Sequence, residues 1–319
     1  MKSRLILGVN GQDGILLSRL LISQGHHLIG IGVQPKLSQH VPDSVEYFSV
    51  DIKDSEKLYE LIKASNIEVI YNLAGLSSVA QSFKEPQMTR EVNYMAVKNL
   101  LEMVYSQDLT SHIKFFQASS SEMFGATTDS SQNEKTQFNP KSPYAESKVE
   151  AHILCDSYRD QGFFVSCGIL FNHESIFRPE TFVTRKVTST VARIKLGLQE
   201  YLTIGNLNAT RDWGAARDYV DAINCVSEHT AADNFVIATG HSHSVHELVS
   251  LALEAVDLNH QFDNLVRFDE NLLRTNDLLT TVGDARKIEK EIGWVSKTPF
   301  KALISEMVEY DLAFHSASH

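Results

Sequence analysis

A chain of 319 residues carries 29 basic and 40 acidic side chains, a formal charge of -11, with 43% hydrophobic and 22% charged residues. Such a composition belongs to a globular protein with room for about two domains. The negative balance argues against a nucleic-acid binder, which would present a basic stripe. Cys155, Cys167 and Cys225 are too few and too scattered for a disulfide framework or a zinc site, so no metal is expected. No apolar run approaches the ~18 residues of a membrane span, so no membrane partner is expected. The opening apolar run breaks at Gly8, Asn10, Gln12 and Asp13 rather than continuing as a leader, and the expected location is the cytoplasm.

In chain order, short apolar runs predict strands at 5–7, 28–33, 45–50, 69–73, 113–118 and 164–171. Amphipathic stretches predict helices at 16–23, 55–64, 89–104 and 145–158. This alternation implies a parallel sheet covered on both faces. The second half is less regular, with helices expected at 183–198, 217–229, 245–256, 285–292 and 300–314 and a strand at 235–238. The expected fold class is α/β, a Rossmann doubly wound parallel sheet with a smaller C-terminal α/β lobe over the carboxyl ends of its strands. The division read from this pattern gives 1–171 plus about 212–232 to the dinucleotide-binding domain. It gives 172–211 and 233–319 to the substrate domain.

Gly8-Val9-Asn10-Gly11-Gln12-Asp13-Gly14 follows the first predicted strand and opens a helix. Glycines let a backbone approach a pyrophosphate, and the helix N-terminus supplies N–H groups and partial positive charge. The second strand ends Gly32-Val33-Gln34-Pro35-Lys36, without the acidic residue that usually holds the ribose of NAD. Lys36 there suits a 2′-phosphate, so NADP is expected, with NAD the alternative. Asp51, before Ile52, is placed either to contact adenine or to cap the next helix.

Tyr144 and Lys148 stand one helical turn apart on one face. An ammonium near a phenol stabilises phenolate, as does a positive nicotinamide ring, and a pKa near 10 can then fall toward working pH. Such a tyrosine takes a hydroxyl proton as hydride leaves the same carbon. Upstream, Ser119-Ser120-Ser121-Glu122 ends the fifth predicted strand, adding a hydroxyl and a second acid–base group. A simple dehydrogenase or 4-epimerase has no need of that carboxylate. An enzyme that removes a C5 proton and expels a C6 hydroxyl does.

Together these stretches resemble the GDP-mannose 4,6-dehydratase family of extended short-chain dehydrogenases/reductases. The likeness is carried by Gly11-Gln12-Asp13-Gly14, by Tyr71-Asn72-Leu73-Ala74 with Ser82-Phe83, and by Gly168-Ile169-Leu170-Phe171-Asn172-His173-Glu174-Ser175. Segments 180–186, 205–207, 210–214 and 233–240 add to it. The resemblance implies chemistry by Ser120, Glu122, Tyr144 and Lys148, with Ser120 where the family usually has threonine. It extends the cofactor contacts to Ile52, Leu73 and Ala74. It also implies substrate contacts at Ser78, Asn172, Glu174, Lys186, Arg211 and Arg274, with cations meeting the diphosphate of GDP-mannose or a related GDP-sugar. The implied product is a 4-keto-6-deoxy sugar, formed by a lyase that loans out a hydride and takes it back, in a homodimer or homotetramer.

Three departures are visible: segment 34–43 carries Lys36 in place of an arginine-rich loop, Ser77 and Ser78 occupy a region where histidine is common, and 258–284 is short. They leave open a relative of GDP-mannose such as a GDP-heptose. Rival activities are a GDP-4-keto-6-deoxy-sugar reductase, which would not need Glu122, and a UDP-glucuronate decarboxylase, which would lack the Asn172–Lys186 pattern. From another class, a non-catalytic NADP-binding sensor or scaffold would have no reason to keep all four catalytic groups.

Overall fold

The computed structural model describes residues 2–126, 130–272 and 281–317. Its centre is a seven-stranded sheet: β1 (Ser3–Leu7), β2 (His27–Gly32), β3 (Glu46–Ser49), β4 (Ile67–Asn72), β5 (Lys114–Ser120), β6 (Val165–Leu170) and a late strand at Asn234–Ile237. The spatial order is late strand, β6, β5, β4, β1, β2, β3, with parallel pairing throughout. The chain reverses direction across the sheet between β1 and β4, and such a switch point opens a crevice at the carboxyl ends of the strands.

Alternation along the strands fills a core on each face. Ile6, Leu28, Val69, Tyr71, Phe116 and Ile169 point to one side. There α1 (Gln12–Ser23) packs through Ile15, Leu17 and Leu21 against a later helix bearing Tyr219 and Ile223. Leu5, Leu7, Ile29, Ile31, Ile70 and Phe115 point to the other. That face is covered by α2 (Ser55–Ala64) and two further helices whose buried stripes include Leu100, Leu101, Ala151 and Cys155.

The helix expected over 89–104 is more broken than its periodicity suggests. After α3 (Val79–Lys84), that stretch is made of the end of α4 (Pro86–Arg90), one π-helical turn (Glu91–Met95) and most of α5 (Ala96–Ser106). Pro86, lacking an N–H, separates α3 from α4. Next comes α6 (Pro143–Asp160), capped by the Ser142 hydroxyl, which accepts from Ala145 N at 3.1 Å.

Beyond β6 the chain runs through β7 (Asn172–Glu174), α7 (Val183–Lys195), β8 (Leu202–Ile204), β9 (Thr210–Arg211), β10 (Trp213–Ala215) and α8 (Ala216–Glu228). Then come β11, the late sheet strand, β12 (His243–Ser244), α9 (Val245–Glu254), α10 (Phe262–Leu265), β13 (Val266–Phe268), α11 (Arg286–Ile292) and α12 (Phe300–Ala317). A third core joins α7, α9 and α12 through Val187, Val191, Leu248, Leu253, Ile304 and Met307.

The sequence division assigned 233–319 to the second lobe. Its first strand, β11, instead extends the sheet by pairing Asn234–Ile237 with Cys167–Leu170. Ile288 of α11 and Trp294 likewise belong to the core on the α1 side. The strand is too short to announce its partner, and pairing with β6 is a long-range event invisible to local pattern.

Candidate active site

The glycine loop is wedged against the switch point. Gly8 has φ +84°, and a Cβ there would lie 2.8 Å from the backbone nitrogen of Ala74. At Gly14 a Cβ would lie 2.4 Å from the Gly8 carbonyl oxygen. Gly11 caps α1 with no side-chain hydrogen bond, so the first-turn N–H groups face outward for an anion. This cradle, one that any Cβ would fill, fits a dinucleotide pyrophosphate.

Side chains in the loop serve the protein's own geometry. Gln12 Nε2 donates to the His173 carbonyl at 3.0 Å, and Gln12 Oε1 accepts from Ser175 Oγ at 2.9 Å. Asp13 pairs with His173 Nε2 at 3.0 Å. Burial would raise the Asp13 carboxyl, but the charge and hydrogen bond of His173, with Arg178 and Gln12, together outweigh it, and the net direction is down. Gln12 and Asp13 therefore tie the loop to β7, and what they offer a cofactor is their backbone.

Asn10 ties the loop to the segment after β2. Its Nδ2 donates to Gln34 Oε1 and to the Lys36 carbonyl, both at 3.1 Å, and its Oδ1 accepts from Ser38 N at 2.9 Å. The Lys36 side chain is exposed. Asp51, beyond β3, accepts from Lys53 N at 2.9 Å, and Asp54 rather than Asp51 caps α2. Ile52 is buried, and Leu73 and Ala74 follow β4 half-buried.

At the carboxyl end of β5 the chain turns through a 3-10 segment, Ser121–Phe124, capped by Ser120. Tyr144 lies in the first turn of α6 and Lys148 one turn later, 7% and 6% exposed. Lys148 Nζ donates to the Ala118 carbonyl at 2.8 Å and lies 5.9 Å from the Tyr144 ring centroid. The Ser120 hydroxyl hydrogen-bonds the phenol, and the charge of Glu122 acts on it. All four residues meet at one strand edge.

The expected lowering of the phenol pKa is not the outcome in the chain alone. Burial pushes Tyr144 up to about 12, although Ser120 and Arg178 pull it down. Burial also holds the Lys148 ammonium at about 8. Desolvation outweighs what Ser120 and Arg178 do for the phenol, so phenolate needs further positive charge in the pocket.

Sequence reasoning overlooked several supporting residues. Asn93, in the π-helical turn and 1% exposed, accepts from Leu76 N at 2.9 Å and donates to Ser147 Oγ at 3.2 Å, joining the β4 loop to α6. His152 lies 2.8 Å from Ser119 Oγ and braces the strand end beside Ser120. Arg178 is a third: its charge acts on Tyr144, Asp13 and His173, and its guanidinium stacks 3.6 Å from the Phe182 ring centroid. It stands between two of the quoted family segments, and that flank was the available signal. A lone asparagine in an apolar helix pattern offers none.

The substrate candidates sit on short elements. Asn172 pairs with Trp213 in the β7–β10 ribbon, and Arg211 pairs with His243 in the β9–β12 ribbon. The neighbouring acids are engaged in bracing the lobe: Asp212 holds Thr239, Gly240 and Gly283, while Glu180 holds Ser189 and Arg193. Lys186 is half-buried in the first turn of α7, and burial lowers its pKa against the pull of Asp269. Glu174, 2% exposed, accepts from Thr184 Oγ1 at 2.5 Å and approaches Arg178 Nε at 3.2 Å, which makes it a brace. Ser78 caps α3. Arg274 lies outside the described residues.

A glycine cradle at the first strand–helix junction, facing a buried Ser–Tyr–Lys set across the switch point, defines an extended short-chain dehydrogenase/reductase. Sequence comparison narrows this class: the GDP-mannose 4,6 dehydratase profile matches residues 5–307, and the chain belongs to that family. GDP-mannose 4,6 dehydratase 1 of Arabidopsis thaliana is 38% identical, with 98% of this chain and 90% of that protein covered. Among solved structures, UDP-glucose 4-epimerase of Thermotoga maritima superposes with a TM-score of 0.87 at 21% identity, covering 99% of this chain and 100% of that one. RMD from Pseudomonas aeruginosa, complexed with NADPH, does so with 0.82 at 21% identity, over 98% and 99%.

Proposed function

We propose that this chain converts GDP-mannose, or a close GDP-sugar, to the GDP-4-keto-6-deoxy sugar and water with bound NADP. The observation that carries the proposal is the carboxylate of Glu122 within the field of the Tyr144 phenol, at the strand edge facing the glycine cradle. When bound, the nicotinamide supplies a reversible hydride acceptor and, when oxidised, the positive charge that the phenol lacks.

Tyr144, oriented by Ser120, takes the proton of the sugar 4-hydroxyl as C4 is oxidised. The resulting ketone acidifies C5–H. Glu122 removes that proton and delivers it to the departing 6-hydroxyl, so water leaves. Hydride then reaches C6, and Tyr144 returns its proton to C5, which balances the reaction. Lys148 holds positive charge beneath the phenol, and the buried setting of both groups excludes water. Asn172, Lys186 and Arg211 bind the GDP portion, with the cations opposing its diphosphate.

NADP is favoured over NAD by the exposed Lys36 and by the lack of an acid at the end of β2. A homodimer is favoured by an apolar surface along α3 to α6, where Phe83, Met88, Tyr105 and Ile153 are 54, 42, 43 and 56% exposed. Among the described residues no helix is long and apolar enough to cross a membrane, and Cys155, Cys167 and Cys225 are unpaired, in keeping with a cytoplasmic enzyme.

Incubation with GDP-mannose and a trace of NADP, followed by mass spectrometry, is expected to show loss of one water without net reduction of the cofactor. Stoichiometric NADPH consumption on a keto-sugar instead would replace the dehydratase reading with a reductase.

A further inference from the structure

Arg185 stands one residue before Lys186, but its side chain turns into the second lobe and is 8% exposed. There it meets Asp311 of α12, which is fully buried. Arg185 Nε donates to both carboxylate oxygens at 3.0 and 3.1 Å, Nη2 donates to the same carboxylate, and Thr188 Oγ1 adds a bond of 2.8 Å. The remaining nitrogen, Nη1, reaches the loop between β7 and α7, donating to the carbonyl of Ile176 at 2.7 Å and to that of Arg178 at 3.4 Å.

This loop carries Arg178, whose charge acts on Tyr144, Asp13 and His173. It is anchored on the opposite side by Ser175 to Gln12 and by Phe177, which lies 5.0 Å beneath the Arg19 guanidinium. A buried ion pair is weak evidence of stabilisation, because well-packed apolar residues often serve as well. What an apolar pair cannot provide is a fixed donor for two loop carbonyls.

We infer that Asp311 and Arg185 are positioning residues for the nucleotide end of the site: Asp311 aims the guanidinium, and the guanidinium fixes the backbone that sets Arg178. This rests on the cofactor reading above. Neither residue touches the reacting atoms.

Protonation adds a signature. Burial raises the Asp311 carboxyl to about 6, opposed by Arg185, Thr188 and Arg193 and reinforced by Glu180. From α12 itself, Tyr310 lies under Arg185, with its ring centroid 5.4 Å away, and His315 lies 2.9 Å from Ser189 Oγ. The hold on the loop is thus expected to be full above a pH of about 6 and to weaken below it.

The test compares wild type with Asp311→Asn by hydrogen exchange of a peptide covering 175–180 and by titration with NADP. At pH 7.5 the variant is expected to exchange about tenfold faster in that peptide and to bind NADP about tenfold more weakly, with the central strands unchanged. Its affinity should also lose the decline that wild type shows below pH 6. A folded variant with normal exchange in that loop overturns the inference. If the variant fails to fold, wild type is followed from pH 7.5 to 5.5, and protection in that peptide, corrected for intrinsic rate, must fall selectively or the inference is wrong. Wild type that binds no nicotinamide dinucleotide at all would overturn the cofactor reading, whereas the loop exchange is measured without cofactor.

Discussion

The proposed catalytic group and the basic residues of the second lobe are built by different means. Ser120, Glu122, Tyr144 and Lys148 sit at the ends of one central strand and one 18-residue helix, locked by parallel pairing and a buried stripe. Lys186, Arg211 and Asn172 stand on a helix start and on ribbons of two or three residues. Those ribbons are too short to hold themselves, so buried carboxylates hold them: Asp212 for β9, Asp311 through Arg185 for the loop before α7. In the proposed roles, chemistry rests on regular backbone, and recognition rests on polar braces, which are more easily altered.

The largest effects should come from the catalytic group, with folding untouched. Tyr144→Phe removes the proton acceptor and is expected to lower kcat about 10³-fold while leaving the KM for GDP-mannose near normal. A variant retaining more than a tenth of the activity would show that another group takes the proton. Glu122→Gln should separate the half-reactions: oxidation at C4 survives, seen as transient NADPH absorbance, while elimination slows about 10²-fold. Water loss at the wild-type rate would remove Glu122 from its assigned role.

The same division decides what the sequence disclosed. The glycine triplet, the Tyr144–Lys148 spacing and the serine–glutamate strand end lie on regular elements, where one residue fixes the place of the next, so their placement was legible from local pattern. Asn93, His152 and Asp212 act across long separations, the first from inside a π-helical turn, and no periodicity marks them. The direction of the Tyr144 pKa shift was also hidden, because spacing reveals the neighbouring ammonium but not the depth of burial that outweighs it. Partners of β11 and α11 were illegible for the first reason: which sheet a four-residue strand joins is settled by the whole fold.

A smaller effect is expected where recognition is braced. Asp212, fully buried, accepts from the Thr239 hydroxyl at 2.6 Å and from backbone N–H groups of Thr239, Gly240 and Gly283 at 2.9 to 3.1 Å. Asp212→Ala strands these donors, at a cost of about 1–3 kcal/mol for each one left unsatisfied. Raised KM, with kcat reduced less, is the expected pattern in steady-state kinetics. An equal fall of kcat at unchanged KM would place Asp212 with the catalytic group and erase the contrast.

The smallest effect separates stability from activity within the catalytic group itself. The Lys148 ammonium is held at about 8, against an ordinary 10.5, because it is buried. At ~1.4 kcal/mol per pKa unit the charged form costs the fold about 3 kcal/mol. That exceeds the roughly 1 kcal/mol contributed by a hydrogen bond such as the one to Ala118. Since the unfolded chain binds the proton more tightly, wild-type stability should rise as pH increases from about 8 to 10.5. Lys148→Met should flatten that rise and melt higher at pH 7, by about 2–4 °C per kcal/mol relieved, while losing activity. Thermal melts across this pH range decide the matter: a variant that melts lower than wild type throughout would mean that the lysine supports the fold, and that the catalytic end of the molecule has no strain to release.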